Sequence, residues 1–214
     1  MTEPSTQKLG LWAAGASAAF ALAYTVGQLL EWLGLLGSHG GPNASSTPLG
    51  IAVLLIPSLL LGPAWVVTLA ALHEVAPVSR RGFSVAALAL ATIYAALTGL
   101  VYFVQLTFVG PRLASGAVQG IELLLFVPYQ SFLFAIDLWG YSLMCASALF
   151  AAYALAPEFK RARPWLVLTG LLTPALAFQM FVPQLIWAGA IWGLSFPLAA
   201  LLLARGFAGL ERAA

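Results

Sequence analysis

The strongest constraint on this chain is a series of apolar stretches that follow one another over nearly its whole length, at about 9–36, 49–74, 83–109, 126–156, 164–182 and 185–205. Each is close to or above the ~20 residues that an α-helix needs to cross a bilayer. Inside hydrocarbon the backbone must satisfy its own hydrogen bonds, and within one continuous segment a helix does so. The expected fold is all-α: a polytopic membrane helix bundle of six transmembrane helices, forming a single transmembrane domain over residues 1–214. Composition agrees, with 62% hydrophobic and 7% charged residues and a mean hydropathy of +0.96, where an average soluble domain has about 25% charged residues.

The breaks between the stretches carry the topology. Gly37-Ser38-His39-Gly40-Gly41-Pro42-Asn43 is a turn-rich loop, while residues 75–82 and 157–164 are short basic loops holding Arg80, Arg81, Lys160, Arg161 and Arg163. With six crossings these five residues join Lys8, Arg205 and Arg212 on one side, and Arg112 stands alone on the other. Cytoplasmic loops carry the excess of Lys and Arg, so both termini are expected in the cytoplasm and the chain in the cell inner (plasma) membrane as a multi-pass protein. Five crossings, with the last two stretches fused across Pro183, would place Arg205 and Arg212 outside and spoil the pattern. The first stretch is too long for the h-region of a cleaved signal and reads as a retained span.

Several chemistries lack their residues. A net charge of +2 with no aromatic-interleaved basic cluster gives no sign of a nucleic-acid partner. Cys145 is the single cysteine, and His39 and His73 are the only histidines, too few for disulfides, cysteine metal sites or a bis-histidine haem pair within the spans. Lys8 and Lys160 flank the stretches, which removes a Schiff-base lysine. No P-loop, GxSxG, HExxH or paired Asp-rich motif occurs. No metal and no cofactor is expected.

Polar residues within the stretches form stripes. Ser17, Tyr24, Gln28 and Glu31 share one helix face, as do Tyr94, Thr98, Tyr102 and Gln105, and Gln130, Asp137, Tyr141 and Cys145. Such stripes are expected to turn inward, because an intramembrane charge costs roughly 2.5–3.5 kcal/mol on insertion scales. Asp137, inside an apolar run of more than two dozen residues, is therefore expected to face a polar cavity or to serve as a protonated hydrogen-bond donor. The expected ligand-binding set is Gln28, Glu31, Tyr102, Gln105, Gln130, Asp137 and Tyr141, with Glu31 and Asp137 the candidate acid and base if chemistry occurs there. For Tyr24, Tyr94, Thr98 and Tyr141 interhelical packing is the competing explanation.

Smaller features add weaker expectations. Glu122 is placed to pair with Arg112, and residues 116–125 read as a short interfacial helix or as the first turns of the fourth span. His73 and Glu74 read as a solvated cluster beside Arg80 and Arg81. Trp12, Trp32, Trp165 and Trp187 sit near span ends as an interfacial belt, while Trp139 and Trp192 lie deeper and either line a cavity or face lipid. Gly189 and Gly193 have the GxxxG spacing of close helix packing. Leu54-Leu55-Ile56-Pro57 and Leu171-Leu172-Thr173-Pro174 place a proline similarly in the second and fifth stretches, a pattern known from inverted-repeat transporters. Asn43-Ala44-Ser45 matches a glycosylation sequon, which has meaning only in a eukaryotic secretory route.

The ending Ala190-Ile191-Trp192-Gly193-Leu194-Ser195-Phe196-Pro197-Leu198 through Ala204-Arg205-Gly206-Phe207, over the last quarter of the chain, resembles that of uncharacterised six-span bacterial membrane proteins of about this length. The six-span layout, with small-xxx-small spacing at Ala14-Ala18 and Ala19-Ala23, is also similar to the substrate-binding subunits of energy-coupling-factor transporters. That second resemblance implies partner subunits docking on the first helix and the basic loops. The leading expectation is a protein that binds or transports a small, partly lipophilic molecule in an outward-facing polar pocket. The alternative is a membrane-embedded acid–base enzyme, an isomerase or cyclase acting on a lipid-soluble substrate. Expected partners are the lipid bilayer, a small-molecule ligand, and a second copy or transporter subunits.

Overall fold

The structure is a computed structural model that describes residues 4–42 and 44–213. Asn43 of the sequon and the Arg212 side chain lie outside the described residues. Among the described residues the fold is all-helical, and five helices are long and apolar enough to cross a membrane. The chain is a multi-pass membrane protein.

Four of the long helices are α1 (Pro4–Trp32), α2 (Pro48–Val75), α3 (Arg81–Val104) and α5 (Phe132–Ala154). After α3 comes a π-helical turn (Gln105–Val109), then α4 (Gly110–Ala114), so the third span runs past its expected end at 109. The fifth stretch divides into α6 (Arg163–Gly170) and α7 (Thr173–Ala177), and α8 (Trp187–Ala213) is the last long helix. Neighbours in chain order pack side by side, and α8 returns to α1, so the segments α1, α2, α3, α5, α6–α7 and α8 form a closed ring.

Local chemistry sets the helix ends. Thr47 caps α2 by accepting a hydrogen bond from Gly50 N at 3.1 Å, with Pro48 at the first helical position. Its hydroxyl also donates to Leu36 O at 2.6 Å, which ties the turn-rich loop to α2. Ser131 caps α5 through Phe134 N. The fourth span therefore starts at Phe132 rather than 126, and residues 116–125 are loop and turn with a short 3₁₀ turn at Glu122–Leu124. Glu122 does not pair with Arg112. Its Oε1 accepts from Gly120 N, and backbone N–H groups, its own first and then that of Gly120, hold its carboxyl below the usual range. Arg112 instead lies over the Phe108 ring.

The break in the fifth stretch is a proline effect. Pro174 has no N–H to offer Gly170 O, and a proline ring clashes with the carbonyl four residues back. The Thr173 hydroxyl takes over that carbonyl at 2.7 Å, and the helix restarts one turn later as α7. Pro57 and Pro63, by contrast, sit inside the unbroken α2. The two proline-bearing stretches that look alike in sequence thus have different backbones.

Both described ends of the chain meet at one end of the ring, where a Cβ built on Gly10 would fall 2.5 Å from the Phe207 ring. Phe207 also packs on Phe159 at the start of the α6 segment, and Arg80 donates to Leu155 O across the same end. At the far end Gln179 donates to the Tyr129 hydroxyl just ahead of α5, so residues 163–182 run alongside α5 from one end to the other. Small residues allow close approach: α5 buries Gly140, Ser147, Ala148, Ala151 and Ala152. Hydrogen bonds between helices add to this, from Trp65 Nε1 to Ser147 Oγ at 2.9 Å and from Thr169 to Ser195 at 2.9 Å. His73 is tied to Ser84 at 2.7 Å, a helix-to-helix bond where a solvated cluster was expected.

A Cβ built on Gly170 would lie 2.5 Å from Leu149 Cβ and 2.8 Å from its Cα, so α6 and α5 touch at backbone distance. Gly170→Ala is expected to destabilise the protein by about 1–3 kcal/mol. Gly209→Ala, at an exposed helical position with nothing within 4 Å, should be neutral or gain about 0.5–1 kcal/mol. Thermal melting of the two purified variants in nanodiscs checks both.

Candidate functional site

The closed ring leaves a cavity of about 180 Å³ in the half away from the chain ends, more than ten times what one water requires. Every segment except α4 and α6 contributes to its wall: α1 through Tyr24 and Glu31, α2 through Ile51, α3 through Tyr102, α5 through Asp137 and Tyr141, α7 through Leu176, and α8 through Trp192. The cavity reaches the loop residues Gly41, Pro42, Ala44 and Ser46, so it leads toward that end of the bundle.

Both carboxyl groups reach this one cavity. Glu31 ends α1 one residue before Trp32 and is 2% exposed. Its carboxylate lies against the first turn of α2, where a Cβ on Gly50 would fall 2.6 Å from Glu31 Oε2. A helix N-terminus is a favourable place for negative charge, and the missing side chain of Gly50 is what lets the carboxylate approach it. Asp137 is 8% exposed and five residues past Phe132, about 7.5 Å into α5 at the helical rise. Tyr102 of α3 lines the same cavity.

Around these groups stands an aromatic wall. Tyr24 and Tyr141 stack at 6.2 Å, Tyr24 and Trp192 meet edge to face at 5.8 Å, and Tyr141 and Trp192 at 5.3 Å. Tyr94 and Phe196 back the rings from behind.

Buried polar groups are normally hydrogen-bonded, and each exception needs an explanation. Here Glu31 Oε1 and Oε2, Asp137 Oδ1, the Tyr141 hydroxyl and Trp192 Nε1 are buried without a partner among the described residues, and all belong to residues lining the same cavity. Outside this wall the Tyr94 hydroxyl and Gln105 Oε1 are also without a partner among the described residues.

The expected stripes do turn inward: Ser17 bonds Thr68 at 3.3 Å, and Tyr94, Thr98 and Tyr102 are buried. Of the expected ligand set, Gln28, Glu31, Tyr102, Asp137 and Tyr141 line the cavity, with Gln28 accepting from the Tyr24 hydroxyl at 3.1 Å. Gln105 and Gln130 are corrections. Gln105 is fully buried and donates to Leu124 O at 2.6 Å, pinning the loop before α5. Gln130 is exposed in the turn ahead of α5, because the helix on which it shared a face with Asp137 starts only at Phe132.

Sequence reasoning left Tyr24 to packing and Trp192 undecided between cavity and lipid. Trp192 is 3% exposed and lines the cavity, while Trp139 is 54% exposed on the outer face. Gln179, 2% exposed, lines it as well; a lone glutamine in an apolar stretch was the available signal. The GxxxG pair divides its work. Gly193 lets α8 approach Thr25, whose hydroxyl lies 3.3 Å from Gly193 O, while Gly189 opens onto the cavity. The chain matches no family model, no curated protein and no solved structure.

Because Asp137 Oδ1 has no protein partner, its removal should not unravel a packed network. Asp137→Asn is expected to melt within about 1 kcal/mol of the parent, and Asp137→Leu to match or exceed it by relieving about 1–3 kcal/mol of desolvation. Thermal unfolding in nanodiscs measures this; a fall of more than ~3 kcal/mol for Leu would return Asp137 to a structural role.

Proposed function

We propose that this protein binds or transports a small, partly lipophilic molecule in the cavity between α1, α3, α5 and α8. The observation that carries the reading is the convergence of Glu31 and Asp137, from distant parts of the chain, on one cavity where their oxygens lack protein partners. A path toward the loop at 41–46 favours exchange with the exterior over a sealed reaction chamber. Apolar side chains such as Leu54, Leu138 and Leu176 offer a surface to the lipophilic part of such a ligand.

In this reading the broken α6–α7 segment is a sixth crossing, which completes an even number of passes and brings both termini to the cytoplasmic side. The basic loops support that orientation. The cavity then faces outward. Proline-broken helices at membrane depth are tolerated where they border protein or a cavity, and α7 does so through Leu176.

Topology can be tested with the native chain as background, since Cys145 is fully buried. Ser115→Cys and Ser79→Cys are at exposed positions beyond opposite ends of α3. A membrane-impermeant maleimide should label Ser115→Cys in intact cells and Ser79→Cys only after permeabilisation; the reverse pattern defeats the outward orientation. For function, the purified protein in nanodiscs is screened by thermal shift against small lipophilic compounds, with product analysis on any that bind. Stabilisation that is lost in Glu31→Gln and Asp137→Asn supports the ligand site. Conversion of a bound compound would move the assignment to the acid–base enzyme.

A further inference from the structure

The cavity wall is unbalanced in charge. Glu31 and Asp137 line it, and among the described residues no Lys, Arg or His does. Both side chains are more than nine-tenths buried, at 2% and 8% exposure, and three of their carboxyl oxygens lack a partner among the described residues. A carboxylate only accepts hydrogen bonds, so its complement must bring donors or positive charge. An anionic ligand would be repelled, and a neutral apolar one would leave the oxygens unsatisfied.

The rest of the wall narrows the kind of cation. A bare divalent ion takes six or more oxygen ligands in a hard shell, and among the described residues no group of three His, Cys, Asp or Glu is placed to hold a metal. The faces and edges of Tyr24, Tyr141 and Trp192, 5.3–6.2 Å apart, form the setting in which ring quadrupoles attract a weakly hydrated organic cation.

We propose that the cavity takes an organic cation, a protonated amine or quaternary ammonium group held between Glu31, Asp137 and the Tyr24–Tyr141–Trp192 wall, with an apolar body against Leu54 and Leu138. The proposal rests on the cavity being a ligand site and names the class of ligand. The carboxyls supply long-range attraction and the rings complete the shell around the charged head. The free volume of about 180 Å³ suits a compact cation better than a long-chain lipid.

The test compares three probes of one shape on the full chain in nanodiscs: benzyltrimethylammonium, its uncharged carbon isostere neopentylbenzene, and the anion benzylsulfonate, each followed by equilibrium binding. Benzyltrimethylammonium is expected to bind saturably and about ten-fold or more tightly than neopentylbenzene, with no competition by benzylsulfonate. Glu31→Gln and Asp137→Asn should each weaken the cation about ten-fold while leaving the neutral isostere unchanged, and Trp192→Leu should weaken it as well. Equal or tighter binding of neopentylbenzene or benzylsulfonate overturns the cation assignment and leaves the ligand site standing. No binding of any of the three overturns both. The probe comparison on the unsubstituted chain decides this even where a variant fails to fold.

Discussion

The contact between the first and last long helices is the constraint on which the rest of the structure depends. Gly193 lets α8 settle against Thr25, and Gly10 accommodates the Phe207 ring, so α1 and α8 touch both near the cavity and at the opposite end. Without that closure the six consecutive segments would make an open row, and the inward stripes of α1, α3 and α5 would lack a common interior. With it, residues far apart in sequence face one axis. In a bilayer no hydrophobic force drives helices together, and small residues with hydrogen bonds across helices take that role. The bonds from Ser17 to Thr68 and from Thr169 to Ser195 join neighbouring segments of the ring, and the bond from Trp65 to Ser147 crosses its interior from α2 to α5.

The packing is uneven along the axis. Toward the chain ends the interior fills with Phe159, Phe196, Phe207, Leu203 and Met144, all essentially without exposure. Toward the opposite end the same ring contains a cavity with unsatisfied polar atoms. Proline shapes this half. Pro174 interrupts the α6–α7 segment, and the chain beyond it turns at residues 178–186 before α8 begins. Tyr129 holds that turn: its hydroxyl donates to Pro183 O and accepts from Gln179, while its own φ of 61° is a left-handed conformation unusual for a residue with a Cβ. Strain of this kind persists where surrounding contacts over-determine it, and here the contacts join α5's approach to α8's approach beside the cavity.

Buried carboxyls set the cavity apart from the filled half of the interior. Oxygen atoms withdrawn from water without a partner cost free energy, and the cavity gathers those of two carboxyl groups. Glu31 has a partial compensation in the N-terminal turn of α2. On the reading proposed above, a bound ligand supplies the remainder.

The sequence by itself determined the all-helical membrane class, the approximate positions of the long helices and the inward direction of the polar stripes, because hydropathy and helical spacing are local properties that act before any tertiary contact. It also marked Glu31 and Asp137, since a carboxyl inside an apolar run stands out whatever its neighbours. Only the tertiary structure decided which stripes share a space. Gln105 and Gln130 lay on promising faces, yet one is consumed by Leu124 O and the other sits in a turn that the late start of α5 leaves outside the helix. Trp192 and Trp139 were equivalent in hydropathy and depth, and the rotation of α8 against α1 and of α5 against α3 sent one inward and the other out. Pro57 and Pro174 looked alike in their local surroundings. One is carried within a continuous helix and the other ends one, because at Pro174 the Thr173 hydroxyl relieves the orphaned carbonyl and tertiary packing accepts the break.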